Sequence, residues 1–131
     1  MKHYQYLILG GGLAGDAAVR GIRQLDPNGS IGMLSMEPDP PYTRPYLSKG
    51  LWKGKPLEKI WRNTQDLGAE IYLGVKATRL DPTSKTILDV QGEEYSYDKL
   101  LLATGGAPAR LPFGGEGIIY YRNFRDYQRL R

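Results

Sequence analysis

The sequence predicts an α/β protein with a parallel sheet and a small antiparallel meander inserted into it. Three observations carry this expectation. The run YQYLIL, Tyr4–Leu9, is short, aromatic and β-branched and stops at three glycines. A helix-forming stretch follows from Leu13 to about Leu25, and a second apolar run, IGMLS, covers Ile31–Ser35. Strand, helix and strand within about thirty residues make a βαβ unit, with parallel strands and a right-handed crossover.

Each element has its own signal. In the first helix Ala14, Ala17, Ala18, Ile22 and Leu25 make an apolar face, and Asp26-Pro27-Asn28-Gly29 is a turn that ends it. Pro38–Pro45 is a proline-rich loop, and Leu47–Trp52 is a short helix. Lys53–Asn63 is surface loop with Ile60 and Trp61 tucked inward, and Thr64–Leu67 is a helical turn. Glu70–Leu73 is the next strand. Lys76–Leu80, Thr86–Asp89 and Glu94–Ser96 form the meander, with turns at Asp81-Pro82 and Gln91-Gly92. Leu100–Ala103 reads as a fully buried strand and Ile118–Tyr121 as a last short one. Asn123 is placed to cap a terminal helix, Phe124–Arg131. Trp52, Trp61 and the tyrosines are expected as core or strand filling.

Composition narrows the chemistry. The 131 residues are 40% hydrophobic and 24% charged, which is ordinary for a folded domain. No cysteine is present, so this chain has no disulfide, thiolate nucleophile or zinc–cysteine site. His3 is the only histidine, which excludes a histidine-based triad and a multi-histidine metal site. The net charge of +4 suits an anionic small molecule. With no long Lys/Arg run and no nucleic-acid motif, no nucleic acid partner is expected. No run is long and apolar enough for a membrane span, and a soluble, cytoplasmic protein is expected.

The glycine-rich turn carries the most information. Gly10, Gly12 and Gly15 give G-x-G-x-x-G, written here as GGGLAG, between a strand and a helix. The first glycine allows a tight turn, the second lets backbone approach a pyrophosphate, and the third lets helix pack close on sheet. The start of the helix then offers unpaired N–H groups and a positive dipole end to phosphates. Glu37 lies 22 residues beyond Gly15, near the spacing of a ribose-binding carboxylate. Either Met36 or Glu37 can occupy that place. The pattern is that of a Rossmann-like dinucleotide-binding fold, and by itself it does not separate NAD(P) from FAD.

Longer stretches do. LLLATGG, Leu100–Gly106, resembles the second signature of the FAD-binding domain in two-dinucleotide-domain flavoprotein reductases. PYTRPYLSKGLW, Pro41–Trp52, resembles the PYxRPPLSKxLW segment of the ferredoxin-reductase group, which includes rubredoxin and putidaredoxin reductases and the apoptosis-inducing-factor proteins. YDKLLLATGGAPARLP and IIYYRNFRDYQRLR resemble segments of that group in the same order. Two positions depart from its pattern. Tyr46 replaces the second proline, and Met36 stands where many members carry the ribose acid, leaving Glu37 as substitute.

The resemblance implies FAD as cofactor and NAD(P)H as hydride donor, with electrons passed to a small iron–sulfur or similar redox protein. It places Ala14 with Gly10, Gly12, Leu13 and Gly15 at the pyrophosphate and Glu37 at the adenosine ribose. Arg44 and Lys49 fall on the flavin side, and the Ala77 backbone at the adenine. Ala103, Thr104 and Gly105 line the cofactor, and Arg122 reaches the phosphate region. It further implies that residues 1–131 are the FAD-binding part of a longer enzyme, with the NAD(P)H-binding and C-terminal parts absent and association with such a part expected. Two alternatives remain open at this level: a plain NAD(P)-binding module, and an interaction domain without cofactor.

Overall fold

A computed structural model describes all residues from Met1 to Arg131. Six strands form one mixed sheet: β1 (Lys2–Leu9), β2 (Ile31–Leu34), β3 (Ala69–Tyr72), β4 (Ala77–Asp81), β5 (Thr86–Asp89) and β6 (Glu94–Leu102), in the order β3-β2-β1-β6-β5-β4. The β3, β2, β1 and β6 neighbours are parallel, whereas β5 pairs antiparallel with both β4 and β6. Helix α1 (Leu13–Leu25) crosses from β1 to β2, and a short helix α2 (Phe124–Leu130) ends the chain. The expected α/β class, the βαβ unit and the terminal helix are all present.

The meander differs from expectation. Glu94–Ser96 and Leu100–Leu102 belong to one continuous strand, so the meander extends the main sheet. The first residues of β6 pair with β5, while nearly its whole length pairs with β1, from Lys2↔Tyr95 to Leu9↔Leu102. Alternating polar residues at Ser96, Asp98 and Lys99 hide that continuity in the sequence. The last residues of β6 are also not fully buried. Leu101 is 43% exposed and Leu102 56%, because β5 reaches only Glu94–Ser96 and leaves the far end of β6 open on that side. Ile118–Tyr121 forms no strand. Ala14, Ala17 and Leu25 lie on the exposed side of α1, whose inward face is Gly15, Asp16 and Val19 with Ala18 and Ile22 behind them.

The long segment between β2 and β3 is irregular but built. Short 3-10 turns cover Arg44–Leu47, Gly50–Lys53, Leu57–Lys59 and Thr64–Leu67. They enclose a core of their own, in which Tyr42, Leu47, Leu51 and Ile60 pack with Phe124 and Tyr127 of α2. Trp61 stacks on Phe124 with ring centres 5.4 Å apart. Ile60 and Trp61 turn inward as expected, but Trp52 is exposed, tethered through its indole N–H to the Leu47 carbonyl at 2.7 Å. Asn123 accepts from the Asp126 N–H, and Asp126 accepts from the Asn123 N–H, a reciprocal cap that starts α2.

Asp16 orients α1. Its carboxylate is 1% exposed and accepts from Arg20 Nε at 3.0 Å, Arg62 Nε at 2.8 Å and the Thr64 hydroxyl at 2.7 Å. Burial pushes its pKa up, but these three donors together outweigh burial and hold it below the usual carboxylate value. A carboxyl depressed in the folded state adds stability above its unfolded value of about 4, and that stability is lost as the pH falls through the lower folded value. Asp16→Asn is therefore expected to lower unfolding free energy by about 2 kcal/mol at pH 7. Urea titrations should show the difference from wild type shrinking as the pH is taken below about 4.

Candidate functional site

The strand order reverses direction between β1 and β6, and in such sheets ligands bind outside the carboxyl ends of the strands at that point. Two turns meet there, GGGLAG after β1 and ATGG after β6. Gly10 has φ +129°, and a Cβ on it would lie 1.9 Å from the Ala103 carbonyl oxygen. The turns are also tied to the sheet by Gly10 N–H to Leu34 C=O and Ala103 N–H to Leu9 C=O, each 2.8 Å. A Cβ on Gly15 would lie 2.4 Å from the Gly10 carbonyl oxygen, so α1 sits down on the turn. Gly12 is different: no atom of the fold stands within 4 Å of where its Cβ would be.

That contrast matches the three glycine roles. Gly10 makes the turn, Gly15 makes the packing, and Gly12 keeps backbone open toward space. Gly12 is also the N-cap of α1 and has no side chain to cap the helix. The first N–H groups of α1, at Leu13, Ala14 and Gly15, therefore have no partner within the helix and face the opening with the positive end of its dipole. Leu13 and Ala14 are exposed there. Beside them Thr104, Gly105 and Gly106 are exposed, with Gly105 at φ +65°.

A cavity of about 520 Å³ adjoins this edge, lined by Arg44, Pro45, Gly106, Ala107, Pro108, Tyr121 and Arg122. The Arg122 guanidinium lies 3.2 Å from where a Gly105 Cβ would stand, so a side chain there would press on it. Arg44 and Arg122 thus line one cavity beside the second turn. Lys49 is exposed and does not line the cavity. Ala77 starts β4, two residues after Val75, whose N–H bonds the Ser35 carbonyl at 2.8 Å near the end of β2. A second cavity of the same size, about 520 Å³, is lined by Arg110, Leu111, Gly115, Glu116, Ile118, Tyr120 and Arg129. No residue of either glycine turn lines it.

The two cavity arginines are electrostatically unlike. Arg44 is committed: its Nη2 pairs with Glu37 Oε2, and its Nη1 donates to the Tyr42 hydroxyl and to the Arg122 carbonyl, each at 3.0 Å. The Tyr42 hydroxyl donates to Glu37 Oε1 at 2.6 Å and accepts from the Phe124 N–H at 2.8 Å. Burial, and then the bond to Glu37, push the Tyr42 hydroxyl well above its ordinary pKa, so it stays a donor. Arg122 has no carboxylate against its guanidinium, although its backbone N–H bonds Asp126. Sequence reasoning passed over Tyr42. Its signal was an aromatic hydroxyl next to Arg44 within a proline-stiffened loop, which only a folded partner makes meaningful.

Comparison with known proteins shows the family. The family model described as pyridine nucleotide-disulphide oxidoreductase matches residues 4–131. The chain belongs to that family. It is 37% identical to the ferredoxin reductase subunit of 5,5'-dehydrodivanillate O-demethylase from Sphingobium sp. (strain NBRC 103272 / SYK-6), covering 96% of this chain and 32% of that protein. It is 35% identical to rubredoxin-NAD(+) reductase of Pseudomonas putida, over 95% of this chain and 34% of that one. Its fold superposes with a TM-score of 0.87 on a chain from the covalent putidaredoxin reductase–putidaredoxin complex, at 25% identity, over 99% of this chain and 34% of the other. The chain spans about a third of the length of these relatives.

The glycine contrast gives a stability test without any ligand. Gly10→Ala forces a side chain onto the Ala103 carbonyl at positive φ and is expected to lower unfolding free energy by about 3 kcal/mol. Gly12→Ala is expected to change it by no more than about 1 kcal/mol. Chemical denaturation of the two variants measures both. The arginines separate likewise: Arg44→Met breaks three contacts and is expected to lose about 2 kcal/mol, whereas Arg122→Met stays within about 0.5 kcal/mol of wild type.

Proposed function

We propose that this chain is the FAD-binding portion of an NAD(P)H-dependent flavoprotein oxidoreductase that passes electrons to a small redox protein. One observation carries the proposal: an open, uncapped helix start at Gly12 stands beside a second glycine turn and a cavity bearing one uncommitted arginine. That arrangement suits an anionic ligand long enough to run from a phosphate cradle to a cationic end. The relatives support the rest, since two are named for ferredoxin and rubredoxin as partners and a third is seen with putidaredoxin.

FAD, when bound, would supply the redox chemistry of hydride acceptance and one-electron transfer. The protein supplies binding and charge. The N–H groups of Leu13, Ala14 and Gly15 hold the pyrophosphate at the helix start. Gly105 and Gly106 allow backbone approach, and Arg122 adds a positive charge next to them. Arg44, with its charge matched by Glu37, shapes the cavity wall. Lys49 is the exposed cation left to face the flavin side and to favour negative charge there. Ala77 is placed at the adenine. With no cysteine in the chain, no disulfide within it takes part.

Titration with FAD tests the proposal. Ligand at about 100 times its Kd adds about 2.7 kcal/mol of stability, which raises the melting temperature of a chain of this size by about 10 °C. NADH alone is expected to leave it unchanged. Gly12→Ala should keep its ligand-free stability within about 1 kcal/mol of wild type and lose at least about tenfold in FAD affinity, because the new methyl occupies the approach to the phosphates. A chain that melts alike with and without FAD, or that responds only to NADH, sinks the proposal.

A further inference from the structure

Two residues just beyond β2, Met36 and Glu37, stand at the sequence spacing of a ribose-binding position, and the fold has already used one of them. Ser35 is buried against that turn, since a Cβ on Gly11 would meet its hydroxyl oxygen at 2.3 Å. Met36 follows it directly into solvent and is 68% exposed. Glu37 is pinned and turned elsewhere. Its carbonyl accepts from the Gly74 N–H at 3.0 Å. One carboxylate oxygen accepts from the Tyr42 hydroxyl and the other from the Arg44 guanidinium. A carboxylate holds a ribose by accepting from its hydroxyls. Glu37 keeps spare lone pairs, but its charge is matched by Arg44 and both oxygens are held toward the clamp, so turning it to a ribose would mean releasing Arg44.

Release would be felt across the site. Arg44 also reaches the Arg122 carbonyl, and Tyr42 also holds the Phe124 N–H. Glu37 therefore secures the contact between the proline-rich loop, the chain at Arg122 and the start of α2. Breaking it leaves a partly buried guanidinium and hydroxyl short of an acceptor.

We infer that Glu37 braces the Arg44 clamp and is not the ribose acceptor, and that Met36 is the side chain beside the ribose, so that this chain holds an adenosine ribose without a carboxylate. The inference rests on the FAD proposal above. Affinity then comes from the glycine turn and Arg122, and a carboxylate supplied at position 36 adds a contact that the native chain lacks.

Four forms of the full chain test this: wild type, Met36→Glu, Glu37→Gln and the double variant. Each is measured for ligand-free melting temperature and for FAD affinity by calorimetry. Met36→Glu is expected to bind FAD about tenfold more tightly with unchanged ligand-free melting. Glu37→Gln is expected to melt about 3 °C lower without ligand. The double variant should keep that lower melting and still bind FAD about tenfold more tightly than Glu37→Gln alone. The inference is overturned if Glu37→Gln melts like wild type and binds FAD about tenfold more weakly, or if Met36→Glu brings no gain. If none of the four binds FAD, the cofactor proposal falls and takes the ribose assignment with it, while the ligand-free melting of Glu37→Gln still decides the brace.

Discussion

The contact between the Gly10 backbone and the Ala103 carbonyl is the constraint on which the site depends. Parallel pairing of β1 with β6 brings the two strand ends level, Leu9 opposite Leu102. The two turns that follow then have to pass each other with no room for a side chain, 1.9 Å being far inside any allowed carbon–oxygen distance. Because they pass so closely, the helix start at Gly12 and the open backbone at Gly105 are presented on one edge. The Gly15 packing adds to this by setting α1 directly on the Gly10 carbonyl. A single missing Cβ at position 10 thus decides where both turns stand.

A second brace holds the other end. Glu37, Tyr42 and Arg44 form a closed set of hydrogen bonds that reaches Arg122 and Phe124, which lie some eighty residues further along. Beneath it the aromatic core of Tyr42, Trp61, Phe124 and Tyr127 joins the irregular segment to α2. A stretch with five prolines and no long helix would be mobile if its polar groups faced only water. Here it gains a buried core and a hydrogen-bonded frame, and the cavity between Arg44 and Arg122 keeps its shape.

Much of this was legible in the residues. Hydrophobic runs bounded by glycine and proline located β1, α1, β2 and β5 closely, and Asn123 with Asp126 announced the terminal helix. The glycine spacing located the tight turn at Gly10, the open backbone at Gly12 and the close packing at Gly15, since each glycine answers a local backbone demand. The failures share a cause. β6 was divided in two because Asp98 and Lys99 look like a loop, whereas pairing with β1 carries the strand straight through them. The apolar side of α1 differs from expectation because Asp16 is drawn inside by Arg62 and Thr64 from 46 and 48 residues away.

The sequence by itself determined the fold class, the βαβ unit and the glycine-rich turn, because these rest on periodicity and on local backbone geometry, and it named the cations of the loops around that turn. Only the tertiary structure decided which of those cations remains free and which carboxylate is already spoken for. Arg44 and Arg122 read alike as loop arginines, and Met36 and Glu37 read as rival neighbours at one spacing. Their difference lies in hydrogen bonds to Tyr42 and to the chain around Arg122 and Phe124, and such long-range partners exist only once the chain has closed on itself.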